Sequence, residues 1–153
     1  MISIDVLSEE RGWSKKLKKK ELFFKKICSL FPKKYQFPNK KVSFTLLLSN
    51  TRGIKKLNKV FRNKNKPTDI LSFPFSKKIK ITKTTYIGDI IISYNFIDKP
   101  KSQNLKIFKE KVTKTFIHGF LHLLGFDHIQ NKDYKKMLRE EEKLYKTVIS
   151  NII

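Results

Sequence analysis

The sequence predicts a single α+β domain, with about four strands in a mixed sheet packed with helices and a three-histidine site on a late helix. Three observations carry this. Short runs of β-branched and aromatic residues alternate with stretches of helical apolar spacing. No internal repeat or long linker divides the 153 residues. The strongest late helical pattern, from Leu105 to Leu124, holds two of the chain's three histidines.

In order, residues 2–7 read as a first strand. Ser14 is placed to cap a helix running to about Leu30, with Leu17, Leu22, Phe23, Ile27 and Leu30 as its apolar stripe and lysines opposite. Pro32 and Pro38 bracket a loop. Val42 to Ser49 is apolar enough for a central strand. A helix then starts at Asn50 or Thr51 and runs through about Phe61, with Ile54, Leu57, Val60 and Phe61 inward and Arg62 closing it. Asn63 to Pro67 is a turn-rich loop. Ile70 to Phe75 is a short strand, placed at an edge because Pro74 cannot donate to a ladder. Lys77 to Thr85 is a polar connection, and Tyr86 to Ser93 is the last strand. In the late helix Phe108, Val112, Phe116 and Leu123 face the core. A final amphipathic helix spans about Lys132 to Ile149, with Tyr134, Leu138, Leu144 and Val148 at its inner spacing.

All three histidines lie in His118-Gly-Phe-Leu-His122-Leu-Leu-Gly125-Phe-Asp127-His128. His118 and His122 are one helical turn apart on one face. Gly125 stands where a helix stops on a left-handed residue, so the chain can turn and bring His128 back. A lone histidine on an apolar helix is usually a hydrogen-bonded core residue. Three at this spacing, with none elsewhere, point instead to a metal. Three imidazoles with one open position is the ligand set of a catalytic zinc, one ion per chain. A closed structural site wants four ligands, usually including cysteine, and the only cysteine is the distant Cys28. Imidazole also suits iron, copper and nickel.

The spacing matches the long zinc-peptidase signature, in which a glutamate follows the first histidine as general base. Gly119 occupies that position and can move no proton. Peptide hydrolysis is disfavoured by that residue.

The formal charge is +22, from 35 basic and 13 acidic residues, which attracts polyanions such as RNA or DNA. A genome poor in G and C would produce the same lysine bias. The distribution says more: between Glu21 and Asp89 the only acid is Asp69, against 17 Lys or Arg, while Glu140, Glu141 and Glu142 cluster late. Hydrophobic content of 39% with thirteen phenylalanines supplies a core. One cysteine fits a reducing compartment. No secretory signal pattern opens the chain, and no run of eighteen apolar residues exists to span a membrane. The expected location is the cytoplasm, with no membrane partner.

The block from His118 to His128 resembles the signature of the YbeY family, bacterial zinc-dependent endoribonucleases. Leu57-Asn58, Arg62 and Lys66-Pro-Thr-Asp-Ile-Leu-Ser-Phe-Pro74 resemble a second stretch of that family, and Gly88-Asp-Ile-Ile-Ile92 a third. The likeness covers roughly residues 40 to 130. It implies a zinc-binding fold that cleaves single-stranded RNA, acting on ribosomal RNA in maturation of the 16S 3′ end and in ribosome quality control. Its partners would be single-stranded RNA and the ribosome or its small subunit, with no DNA expected. Carried over residue by residue, it makes His118, His122 and His128 the metal ligands and Arg62 a functional arginine, with His118 and Arg62 as the catalytic pair. Asn63 and Asn65 depart from the glycine and aspartate frequent in the family.

Such a zinc ion would lower the pKa of water and polarise a phosphoryl oxygen. The neighbouring 2′-hydroxyl is an alternative nucleophile. Arg62 offers a planar fork to the phosphate oxygens; as a bare helix-end arginine it would simply be solvated. Asp127 either orients a ligand imidazole or caps the turn after Gly125. Asp69, just before a strand, reads as a turn residue. Three other readings stand beside the nuclease: a non-catalytic, zinc-containing ribosome-assembly or RNA-binding factor, a zinc peptidase, and a metal-dependent phosphohydrolase of small substrates.

Overall fold

The structure is a computed structural model that describes residues 1–152. Four strands, β1 (Ile2–Ser8), β2 (Lys41–Ser49), β3 (Ile70–Pro74) and β4 (Thr84–Ser93), form one sheet in the order β1-β2-β4-β3. β1 runs parallel to β2 and β2 parallel to β4, while β3 is antiparallel to β4. Parallel neighbours need a crossover. The first is made by α1 (Arg11–Lys16) and α2 (Lys20–Ser29); α3 (Thr51–Arg62) leads from β2 to β3. After β4 come a one-turn helix α4 (Tyr94–Ile97), α5 (Leu105–Leu123) and α6 (Asn131–Ile152). The mixed four-stranded sheet and the α+β class are as the sequence predicts.

The strand period of two splits the core between the faces. Ile90 and Ile92 of β4 join the large core with Phe44, Phe116 and Phe120, whereas Ile91 joins Ile54 of α3 and Leu71 on the other side. The first face is closed by α1, α2, α5 and α6. Among the described residues, α3 alone covers the second. This is why β2 alternates: Val42, Phe44, Leu46 and Leu48 are fully buried, while Thr45 and Leu47 are only half so.

The same alternation explains Pro74. Ser93 N donates to Asp69 O and Phe75 N to Ile87 O, so residues 71, 73 and 75 of this strand make the ladder bonds. Residues 72 and 74 point their backbone groups to the free edge. Pro74 therefore removes no ladder donor. Opposite it, β4 bulges where the β2 register shifts between Ser43 and Thr45. Gly88 sits at this point with φ +137°, and a Cβ there would stand 2.2 Å from the Phe73 carbonyl oxygen. Only glycine fits.

Several expectations are corrected. Ser14 caps nothing; it lies inside α1, which Glu10 caps by accepting from Gly12 N at 3.2 Å. The single helix expected up to Leu30 breaks at Leu17, whose backbone leaves the helical region to bury its side chain among five flanking lysines, Lys15, Lys16, Lys18, Lys19 and Lys20. In α2 it is Phe24, not Leu22, that faces the core. In α3 Val60 and Phe61 point outward, because one helix alone on that face leaves its flanks uncovered. α6 buries Met137, Leu144, Val148 and Ile152, while Tyr134 and Leu138 stay exposed.

Trp13 ties this frame together. It is fully buried, donates from Nε1 to Ser49 O at 2.8 Å, and meets Tyr94 and Phe108 edge-on. Trp13→Phe keeps an aromatic ring but removes the donor and leaves a void. The expected cost is on the order of 1–3 kcal/mol, read as a lower urea midpoint with an unchanged slope.

Candidate metal centre

The site grows from α5. Asn104 caps the helix by accepting from Ile107 N at 2.9 Å, and Phe108, Val112, Phe116 and Phe120 bury its inner face. At Gly119 the helix lies against the sheet so closely that a Cβ would be 2.7 Å from Ile70 Cδ1 and 3.1 Å from both Ile90 Cγ2 and Ser72 Oγ. The position where a zinc peptidase keeps its glutamate is thus a packed floor. A glutamate there would be driven into the sheet, and the peptidase reading loses its structural basis.

The helix ends in a Schellman turn. Phe126 N donates to Leu121 O at 3.1 Å and Gly125 N to His122 O at 3.0 Å, with Gly125 at φ +100°. Asp127 Oδ1 then accepts from Ile129 N at 3.3 Å, so this carboxylate holds the turn, the second of the two roles open to it. The reversal carries His128 back over the helix. Its ring stacks 5.9 Å from that of His118 and lies 5.2 Å from that of His122, centroid to centroid.

One ring nitrogen from each of His118, His122 and His128 lies within 4.8 Å of the others, and this group could hold a metal ion. Nε2 of His122 and of His118 are 3.0 Å apart. Two ligands on one tetrahedral ion, with bonds of about 2.0–2.1 Å, stand about 3.3 Å apart. The donor set therefore fits a metal in number, and its helical pair in spacing. Burial, followed by the like charges of His118 and His128, pushes the His122 pKa down to about 4. His122 is thereby kept in the neutral form that a metal requires.

The other nitrogen of His118, Nδ1, meets Oε1 of Glu141 from α6. A carboxylate in that place fixes the tautomer and the ring orientation of a ligand and raises its basicity. Sequence reasoning missed Glu141 and saw only an acidic triplet. The helical turn of about 100° per residue sends its members apart: Glu140 accepts from Tyr35 Oη at 2.7 Å, Glu141 reaches His118, and Glu142 is exposed.

Arg62 donates from a guanidinium nitrogen to Ser72 O at 2.9 Å, on the free edge of β3, and its Cζ lies over the Phe73 ring, 5.5 Å from the centroid. Ser72 Oγ in turn reaches the Gly119 carbonyl at 3.4 Å, so Arg62 joins the histidine helix through one residue of β3. The cleft beside His118 is lined by Asp69, Ile70, Lys114, Thr115 and Glu141, with a volume of about 290 Å³. Asp69 holds its turn as expected, accepting from Ile70 N at 2.9 Å, yet it also borders that cleft. Cys28 is buried, which pushes its thiol up to about 12, and it takes no part.

Two outcomes are expected. Glu141→Gln should weaken zinc binding to the cluster by roughly 10–100-fold, measured by competition with a chromogenic chelator. The folded His122 pKa lies below its ordinary 6.5, so the unfolded chain takes up a proton that the folded chain refuses. Stability of the metal-free protein should be full above about pH 6.5 and fall as pH drops towards about 4. Thermal melts of the wild type and of His122→Gln across that window test this; the variant should lose that part of the slope.

Comparison with known proteins bears on what the site is for. The family model of Endoribonuclease YbeY matches residues 7–149. A protein named Endoribonuclease YbeY from Pelagibacter ubique is 59% identical over 152 residues, covering 99% of each chain. Another of that name, from Buchnera aphidicola, is 42% identical over 127 residues, 82% of this chain and 78% of its own. The solution structure of TM1509 from Thermotoga maritima superposes with a TM-score of 0.58 at 26% identity, over 97% of this chain and 90% of that one. With its three imidazoles gathered on the same late helix turn that carried the resemblance, this chain belongs to the YbeY endoribonuclease family.

Proposed function

We propose that this chain is a zinc-dependent, single-strand-specific endoribonuclease acting in the cytoplasm on ribosomal RNA, in maturation of the 16S 3′ end and in ribosome quality control. The observation that carries the reading is the convergence of His118, His122 and His128, with Glu141 behind the first, on a face that stays open to solvent. Membership of an endoribonuclease family supports RNA as substrate, and the net charge of +22 suits a polyanion held on the ribosome or its small subunit.

In this reading the three histidines hold the zinc ion, and His118, steered by Glu141, is the ligand nearest the cleft. Bound there, zinc would supply Lewis acidity toward a phosphoryl oxygen. The chain's own residues do the rest. Arg62 has spent one nitrogen on Ser72 O and stands over the Phe73 ring, contacts that position its guanidinium at the edge of β3. Its remaining N–H groups form the fork for non-bridging phosphate oxygens as negative charge gathers on them. Gly119 keeps a side chain out of the floor. Asp69 and Glu141 are the carboxylates bordering the cleft; each already accepts a hydrogen bond or ion pair, which positions its neighbours. The attacking group is either water or the 2′-hydroxyl, and cleavage of a 2′-deoxy-substituted RNA distinguishes the two.

The test is turnover of an end-labelled single-stranded RNA, with and without chelator. Cutting should be abolished by chelator and by His118→Ala, which also loses zinc. Arg62→Ala should keep zinc and fold but cut on the order of 10²-fold more slowly. Full activity in His118→Ala would sink the assignment, and unchanged cutting in Arg62→Ala would refute that residue's role alone. Tight RNA binding without any cutting, in zinc-replete protein, would favour an assembly factor.

A further inference from the structure

The cleft beside His118 does not end there. Asp69, Lys114 and Thr115 also line a second, larger groove of about 550 Å³, whose far wall holds Lys66, Phe96 and Lys111. The two cavities share three residues and form one channel, leading away from the histidines along the outer face of α5. From His118 back to Lys111 the helix rises about 10 Å at ~1.5 Å per residue. That is the span of about three stacked nucleotides at ~3.4 Å each.

The chemistry changes along this path. Asp69 and Lys114 line both parts, and the carboxylate of Glu141 lines the histidine end alone. Lys66 and Lys111 are added at the far end, and among the described residues Lys66, Lys111 and Lys114 have no carboxylate within 4.0 Å. Lys111 Nζ donates to the Lys99 carbonyl at 2.6 Å, which holds its ammonium in place and leaves two protons free. Phe96 stands between the lysines, 41% exposed, while its neighbour Ile97 is buried and anchors the short helix. A partly exposed ring among free cations is the combination that binds single-stranded nucleic acid, with bases stacked and phosphates neutralised. A protein partner would leave the three cations unanswered unless it were acidic, and the histidine end of the channel would repel it.

We infer that this channel is the binding path for the RNA strand flanking the cleaved bond, with Phe96 as stacking platform for a base and Lys66, Lys111 and Lys114 as phosphate contacts. The inference rests on the ribonuclease reading but is tested by binding, so each can fail alone. Phe96 is a binding residue here, remote from the reacting atoms.

The experiment is fluorescence anisotropy of a labelled 12-nucleotide single-stranded RNA on the zinc-loaded full chain. Phe96→Ala should weaken binding about tenfold, and Phe96→Tyr, which keeps the ring, should restore it. Lys111→Gln with Lys114→Gln should make the salt dependence shallower by about 1.4 in log–log slope. Lys55→Gln with Lys56→Gln, an equal loss of charge on α3, should leave that slope near wild type. Zinc content should not change in any of these. Wild-type affinity in Phe96→Ala, equal slope changes in the two lysine pairs, or failure of the wild type to bind the RNA would each overturn the proposal. Binding as described, without cutting by the wild type, would uphold the path and refute the nuclease reading.

Discussion

At Gly119 the backbone of α5 approaches the sheet more closely than any residue with a side chain permits, and the geometry of the site depends on this contact. Ile70, Ser72 and Ile90 fill the space where a Cβ would be. The helix is thereby pinned at the residue after His118, with the ring of His118 directed away from the sheet. His122 follows one turn later on the same face, and the Schellman turn places His128 relative to both. A shift of the helix off the sheet by one methyl group would move two imidazoles together and carry the third with them. Interiors packed to native density resist such a shift, so the precision of the site comes from the core beneath it.

The electrostatics are arranged to suit a cation that the side chains alone do not supply. Burial, with His118 and His128 close by, holds His122 below its ordinary pKa, and Glu141 faces His118 from α6. Nε2 of His122 and Nε2 of His118 stand 3.0 Å apart. A bound divalent ion would take a lone pair from each, and Glu141 would offset part of its charge through the His118 ring. Along the groove beside α5, Glu141 lies at the histidine end and Lys66 and Lys111 lie away from it, with Asp69 and Lys114 bordering both parts.

What could be read from the sequence was whatever the chain writes locally. The three histidines and Gly125 occupy eleven consecutive residues, so helix period and turn chemistry alone bring them together. Pro74 declared its edge, and Asn63 holds the left-handed position at the end of α3 with φ +55°, which glycine or asparagine tolerates. Glu141 was invisible because its partner lies 23 residues away across a helix–helix contact, and nothing in its spacing marks it off from Glu140. Val60 and Phe61 carry the helical spacing of core residues, yet stand exposed because, among the described residues, nothing but α3 covers that face. Periodicity tells which side of a helix is apolar; it does not say how far the neighbouring layer extends.

The edge of β3 shows how one side chain can close a strand edge and, under the proposed function, still offer donors to a substrate. An open edge strand presents unpaired backbone groups and invites pairing with other chains. Here Pro74 withholds one donor, and Arg62 takes the outward carbonyl of Ser72 at 2.9 Å. Lysine could also donate to that carbonyl, but it would spend a point charge there and lack a plane to lie against Phe73. A guanidinium can close the edge with one nitrogen and still present a fork with the others. The strand that forms the floor beneath Gly119 thus also sets where the arginine stands, so the helix with the histidines and the guanidinium share one rigid reference.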